Sequence, residues 1–162
     1  MALSLITDRT AADVARIATL RAKINVDGWA SLSAAEQAEW AAGRGTYNAE
    51  DLNRVGAAIQ VLTERLTTGC GFAISTSPVT TWAGGSAPSE FRQADADTLL
   101  EDLATIRAVF PVTTTTPASL GGLTYQGAND IEQMLLEVDD YIAIMAKTFV
   151  PCGDAICGGD YL

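Results

Sequence analysis

The sequence predicts a mainly α-helical bundle of four or five helices, with extended loops and a short extended or β-like C-terminal tail. Three observations predict it. Helix-start signatures recur at Thr10 with Asp13, Ser33 with Glu36 and Asn48 with Asp51, each a capping residue followed at the third helical position by an acid. Apolar residues recur at three-and-four spacing, most strictly at Leu52, Val55, Ile59, Leu62 and Leu66, which lays one stripe along one helix face. Hydrophobic residues make up 48% of the 162 and charged residues 19%, enough apolar side chain to bury a core in one domain's length of chain.

Taken in order, residues 1–9 carry Leu3, Leu5 and Ile6 and are expected to form a short strand or an extended arm. A first helix follows the Thr10 cap, with Val14, Ile17, Leu20 and Ile24 in period, and Asp27-Gly28 turns the chain. Ser33 opens a short helix through Trp40 that ends at Gly43, the favoured left-handed position. Gly43-Arg44-Gly45 connects tightly into the helix capped by Asn48, which Gly69-Cys70-Gly71 stops. From Phe72 to Trp82 the chain turns β-branched, hydroxyl-rich and uncharged. It reads as a long loop with at most one short strand, broken at Pro78.

Gly84-Gly85-Ser86-Ala87-Pro88 is a breaker, and a fourth helix begins somewhere between Ser89 and Asp95. Its stripe is Leu99, Leu103, Ile106 and Phe110, and Pro111 ends it. Val112 to Pro117 is an extended linker. Thr124 caps a last long helix, striped by Ile131, Leu135, Val138, Ile142 and Met145 to about Lys147. Residues 1–147 are thus expected to be the helical domain and 148–162 an extended assembly arm, with Ala155-Ile156-Cys157 as a candidate strand. The shared core is expected from Leu52, Val55, Ile59 and Leu62, from Leu103 and Ile106, and from Ile131, Leu135, Val138 and Ile142.

Charge and composition narrow function. A net charge of −10 argues against nucleic acid, because nothing here neutralises a run of phosphates, and against an anionic membrane surface. No run approaches the ~18 apolar residues that span a bilayer, so no membrane insertion is expected. The opening residues lack a basic region and a long apolar run, so no secretory signal is expected and the cytoplasm is the expected site of synthesis and assembly. Cys70, Cys152 and Cys157 are an odd set that suggests no disulfide framework. With no histidine in the chain they are also too few for zinc, and the commonest general base is missing. The carboxylates Glu36, Glu39, Glu50, Asp51, Asp95, Asp97, Glu101, Asp102, Glu137, Asp139 and Asp140 match neither a calcium loop nor a glycosidase pair, and read as solvated helix faces. No catalytic, cofactor-binding or metal-binding residue is expected, and the chain reads as not an enzyme.

Three stretches carry a resemblance. Leu5-Ile-Thr-Asp-Arg-Thr-Ala-Ala-Asp-Val14, Tyr47-Asn-Ala-Glu-Asp-Leu-Asn-Arg-Val55 and Leu123-Thr-Tyr-Gln-Gly-Ala-Asn-Asp-Ile-Glu132 resemble phrases in small structural proteins from the tail and baseplate gene module of tailed bacteriophages and prophages of gut Firmicutes-type hosts. A Trp like Trp82 lies between such phrases, and the Gly-rich ending Cys152–Gly159 is similar too. Gly56 and Gly127 depart from the helix formers expected at those positions and suggest closer helix contact. The resemblance implies a structural virion protein of a tail or adsorption apparatus. Such a protein is assembled in the host bacterial cytoplasm and acts by self-assembly and by docking to other tail or baseplate proteins. Leu3, Leu5, Phe72, Ile74, Trp82, Phe149, Ile156 and Tyr161 are the interface candidates, because apolar segments with little charge suit arms that pack on neighbours. A receptor- or glycan-binding module at the tail tip, touching a host-surface receptor, is the alternative reading. It would show an exposed Trp29 or Trp82 beside a cleft with carboxylates. A cell-wall hydrolase accessory is a third, and would show a carboxylate pair in a pocket.

Overall fold

The computed structural model describes residues 3–82 and 91–148. Five α-helices run in the order α1 (Ala11–Asp27), α2 (Ala34–Ala42), α3 (Ala49–Glu64), α4 (Gln93–Arg107) and α5 (Tyr125–Thr148), and no strand occurs among the described residues. The protein is therefore mainly α-helical. The candidate strand at 155–157, the Gly84–Pro88 breaker and Cys152 and Cys157 lie outside the described residues.

Each of the first three helices starts where a side chain satisfies orphan backbone donors. At Thr10, Ser33 and Asn48 the capping oxygen accepts an N–H of the first turn, and the acid three residues on accepts the cap's own N–H. α2 ends on Gly43 in the left-handed region, φ 58°. α3 runs on into a π-helical turn, Arg65–Gly69, in which the Thr67 and Thr68 hydroxyls donate back to the Glu64 carbonyl. α4 begins at Gln93, within the span the sequence left open. Thr124 caps α5 as expected, its hydroxyl accepting the Gly127 N–H at 3.1 Å.

The main core lies where α3, α4 and α5 pack against one another pairwise. Val55, Ile59 and Leu62 meet Leu103 and Ile106 and the α5 row Ile131, Leu135, Val138 and Ile142, all buried. Leu52 differs from the expectation: it is only half-buried, because it forms a wall of the cleft described below. α1 and α2 form a separate hairpin around Ile17, Leu20 and Leu32, flanked by Ile24 and Trp40.

Residues 72–82 form no strand. They run over α3 and are pinned by side chains standing in for a partner strand. Asn53 exchanges two hydrogen bonds with the Trp82 backbone (2.9 and 2.6 Å), Thr76 meets Thr63 at 2.8 Å, and the Ser77 N–H donates to Asp102 at 2.9 Å. Gly56 makes this close approach feasible: a Cβ there would sit 2.2 Å from the Val79 carbonyl oxygen. The close contact expected at Gly56 is therefore with an extended segment rather than with another helix. At Gly127 a Cβ would meet Leu123, Thr124 and Pro117, again no helix.

Candidate functional site

Two places gather polar side chains in the interior. The first is an ionic cluster under the N-terminal arm. Arg9, 3% exposed, reaches from the arm between α3 and α5, and its Nη2 donates to Asp51 Oδ1 and to Glu132 Oε1, both at 2.7 Å. Arg54 grips Glu132 with Nε (3.0 Å) and Nη2 (2.9 Å) and also pairs with Asp51. The Ile6 N–H adds a fourth hydrogen bond to Glu132 at 2.6 Å, and Arg9 Nη1 donates to the Ile6 carbonyl. Asn129 clips the arm further, exchanging hydrogen bonds with the Arg9 backbone N–H and carbonyl (3.1 and 2.9 Å). The Arg9 guanidinium lies 5.7 Å from the centre of the Tyr47 ring. Burial first, then the Glu132 and Asp51 carboxylates, push the Tyr47 phenol far above its usual range.

Two cations and two carboxylates in mutual contact balance in charge, and four donors occupy Glu132. The arrangement locks three distant segments together and presents no reactive group. It overturns the reading of Asp51 as a solvated acid. Asp51 does cap α3 through the Asn48 N–H (3.0 Å), but it is 5% exposed and also carries Arg9. Of the strand or extended arm expected at 1–9, no strand forms among the described residues; residues 3–9 are an irregular arm fixed to α5. No sequence motif singles out Glu132, but its position does. It lies four residues after buried Ala128 and three before buried Leu135, on the face that packs inward.

The second place is a cleft between α3, the 72–82 segment and α4. Its deep end is a cavity of about 70 Å³ with Leu52, Val79 and Leu99 on its walls and Asp95 and Asp102 as its carboxylates. Trp82 and Phe91 stand over it edge to face, centroids 5.2 Å apart. Both aromatics and Leu52 also line a shallower groove of about 440 Å³ that continues to Tyr47, Leu120 and Leu123. Asp102 is 5% exposed; Oδ1 accepts from Ser77, and Oδ2 is buried without a partner. Burial, the largest cause, and the Glu101 charge raise its carboxyl above the ordinary value near 3.8, against the lowering effect of the Ser77 N–H. Asp102 is thus a second carboxylate that does not sit on a solvated face. Asp95 is occupied otherwise, accepting the Arg92 N–H at the start of α4 (2.9 Å). Seven residues apart on one helix, the two acids stand about 10 Å apart along its axis on one wall, and do not face each other across a bond.

The interface candidates separate. Leu3, Leu5, Phe72 and Ile74 pack half-buried against this chain's own core, and Phe72 meets Phe110 edge to face at 5.7 Å. Part of their apolar surface is thus covered within the chain, and the rest stays exposed. Trp82 lines the cleft, and Phe149, Ile156 and Tyr161 lie outside the described residues. Cys70 is a free thiol, partly buried against the main core. Trp40 packs on the hairpin cluster, whereas Trp29 is 48% exposed and lines neither the cleft nor its groove. Among the described residues no group of three His, Cys, Asp or Glu is placed to hold a metal ion, and no helix is long and apolar enough to cross a membrane. Comparison with protein-family models, with curated proteins and with solved structures finds no match to this chain.

Proposed function

We propose that the chain is a structural virion protein of a phage tail or adsorption apparatus, without catalytic activity. It assembles in the host bacterial cytoplasm with copies of itself and docks onto other tail or baseplate proteins. One observation carries this reading. The three stretches that resemble phage tail proteins, 5–14, 47–55 and 123–132, meet in the buried cluster of Arg9, Asp51, Arg54 and Glu132. Likeness confined to helix caps would say only that two proteins are helical. Stretches whose charges meet across the fold behave as one structural unit, which supports reading the three together. A scaffold needs such a lock and no titrating centre.

Leu3, Leu5, Phe72 and Ile74 are partly covered by this chain's own core, so the tail with Phe149, Ile156 and Tyr161 is the interface to test first. Light scattering on the full chain and on a chain lacking residues 149–162 tests this. A defined oligomer that dissociates on truncation is expected; a monomer in both forms overturns assembly through the tail. The second reading, a receptor- or glycan-binding module at the tail tip, is favoured by Trp82 standing beside the cleft with Asp95 and Asp102. Binding of the labelled protein to host envelopes, competed by soluble glycans, would establish it; envelope binding that no glycan competes would exclude the glycan form.

A further inference from the structure

A helix on a protein's surface ordinarily turns its apolar residues inward and its charged ones to water. α1 turns Ile17 and Leu20 inward, and both are buried. On the opposite side, Ala11, Ala15, Ala18, Ala22 and Val26 follow one another at spacings of four, three, four and four, and all are exposed. No charged side chain interrupts this face over ~22 Å of helix. Apolar bulk adjoins it: Val26 is 82% exposed, Val14 near the start of the helix 39%, and Trp29 just past its end 48%. The helix is therefore apolar on two opposite sides, and its own hairpin covers one of them.

Charge says what can cover the other. Residues 11–45 carry the basic Arg16, Arg21, Lys23 and Arg44 and an equal number of acids, Asp13, Asp27, Glu36 and Glu39. The net charge of −10 thus belongs to the rest of the chain. Arg16 and Lys23, beside the apolar face, are already matched by Glu39 and Glu36 of α2. Two copies that approach bundle to bundle repel each other. Two that approach hairpin to hairpin meet without net charge and hold their acidic bundles apart.

We infer that the outward face of α1 is a contact between two copies of this chain, packed antiparallel about a two-fold axis close to Ala18. Such an axis places the same patch on both sides, so the neutral face meets itself. In this register Val26 of one copy lies over Ala11 of the other, and Ala22 over Ala15. Large meets small along the whole seam, and the small side chains let the helix axes approach to ~8 Å. A parallel pair would set Val26 against Val26 and bring the two Arg21 level. A face ~22 Å long and one helix wide buries an area at the low end for a specific dimer, so the Kd is on the order of ten micromolar. The inference deepens the self-assembly proposed above and rests on it, while adding a contact that residues 149–162 do not make.

Sedimentation equilibrium of the full chain, and of the chain lacking residues 149–162, tests this over about 1–300 µM, a range that brackets such a Kd. In both, the mass should rise with concentration, and the truncated chain should stop at a dimer. Ala18→Glu puts a good helix former at an exposed position and should raise the dimer Kd at least tenfold at unchanged helicity. Ala18→Lys should do the same alone, and an equimolar mixture of the two variants should regain the dimer. Ala15→Glu combined with Ala22→Lys in one chain should keep it, because each Glu then faces a Lys across the antiparallel seam. Association unchanged by Ala18→Glu, a mixture that stays dissociated, or a truncated chain that remains at the mass of one copy each overturns the α1 contact. Dissociation of the Ala15→Glu, Ala22→Lys chain overturns the antiparallel register. Failure of tail assembly reads differently: the full chain would then stop at the same dimer as the truncated one.

Discussion

The α3–α5 bundle and the α1–α2 hairpin are built by different means. In the bundle, long side chains from three helices close on one another until Ile59, Leu62, Leu103, Ile131 and Leu135 are wholly out of water. Each such side chain contributes about 1.5–3 kcal/mol by burial. The hairpin buries Ile17, Leu20 and Leu32 and leaves its tip bare, with Val26 82% exposed. Its helices are joined instead by pairs at the surface, Arg16 to Glu39 (2.7 Å) and Lys23 to Glu36 (2.9 Å), which water screens and which stabilise little. At the hairpin's base, Arg44 pairs with Asp8, and Gly45 lies so close to the Asp13 carbonyl that a Cβ would stand 2.2 Å from it. From this difference the hairpin is expected to open before the bundle.

The largest effect should come from the lock that ties the arm to the bundle. Arg9→Ala leaves Glu132, fully buried, with Arg54 as its only cation, and frees the arm from Asp51. Removing one partner of a buried ion pair costs about 3–5 kcal/mol, because the remaining charge stays shut away from water. Urea unfolding followed by circular dichroism should show the midpoint fall accordingly. A loss below about 1 kcal/mol would mean that water reaches Glu132 and that the cluster is not a lock.

Much of the fold is legible in the sequence, since local rules set it. Thr10, Ser33 and Asn48 announce three helix starts through side chains three residues away, and the stripes on α3 and α5 follow from a 3.6-residue period. The two interior polar sites are not local. Arg9 meets Glu132 across 123 residues, and the Ser77 N–H meets Asp102 across 25. An acid on a helix looks the same whether its partner is water or an arginine from a distant arm. Glu132 could be placed inside from its position among Ala128, Ile131 and Leu135. Asp102 adjoins Leu103 and could be placed near the boundary. Neither position names the partner. The 72–82 segment reads as a loop with at most one short strand, because Val, Thr and Ile suit extended backbone and Pro78 breaks it. Its lack of a ladder depends on Asn53, Thr63 and Asp102 on other elements.

One substitution applied to both regions tests the comparison directly. Leu103→Ala in the bundle should cost about 2–5 kcal/mol and lower the unfolding midpoint for every probe at once. Leu20→Ala removes an equally buried side chain from the hairpin. Its effect should stay local. Amide hydrogen exchange in α1 and α2 should quicken at least tenfold while protection of α3–α5 is retained. Equal loss of protection in both regions would show a single cooperative unit and end the distinction.

The smallest effect is a pH response confined to the hairpin. The Lys23 ammonium first, and then the Ser33 backbone N–H, hold the Glu36 carboxyl down at about 2, against an ordinary value near 4.5. A carboxylate depressed in the folded state adds stability at pH above its unfolded value, and that contribution disappears as pH falls through the folded value. The window is therefore about 4.5 down to 2. Across it the α1–α2 amides should lose protection while those of α3–α5 do not follow Glu36. Glu36→Gln should remove the response, since glutamine can still cap Ser33 but takes no proton and does not pair with Lys23. High salt should shrink it as well, because Glu36 and Lys23 meet near solvent. A pH response of the hairpin that persists unchanged in Glu36→Gln would place its origin in Asp13, whose pKa is lowered by Thr10, or in Asp8, lowered by Arg44 at the hairpin's base.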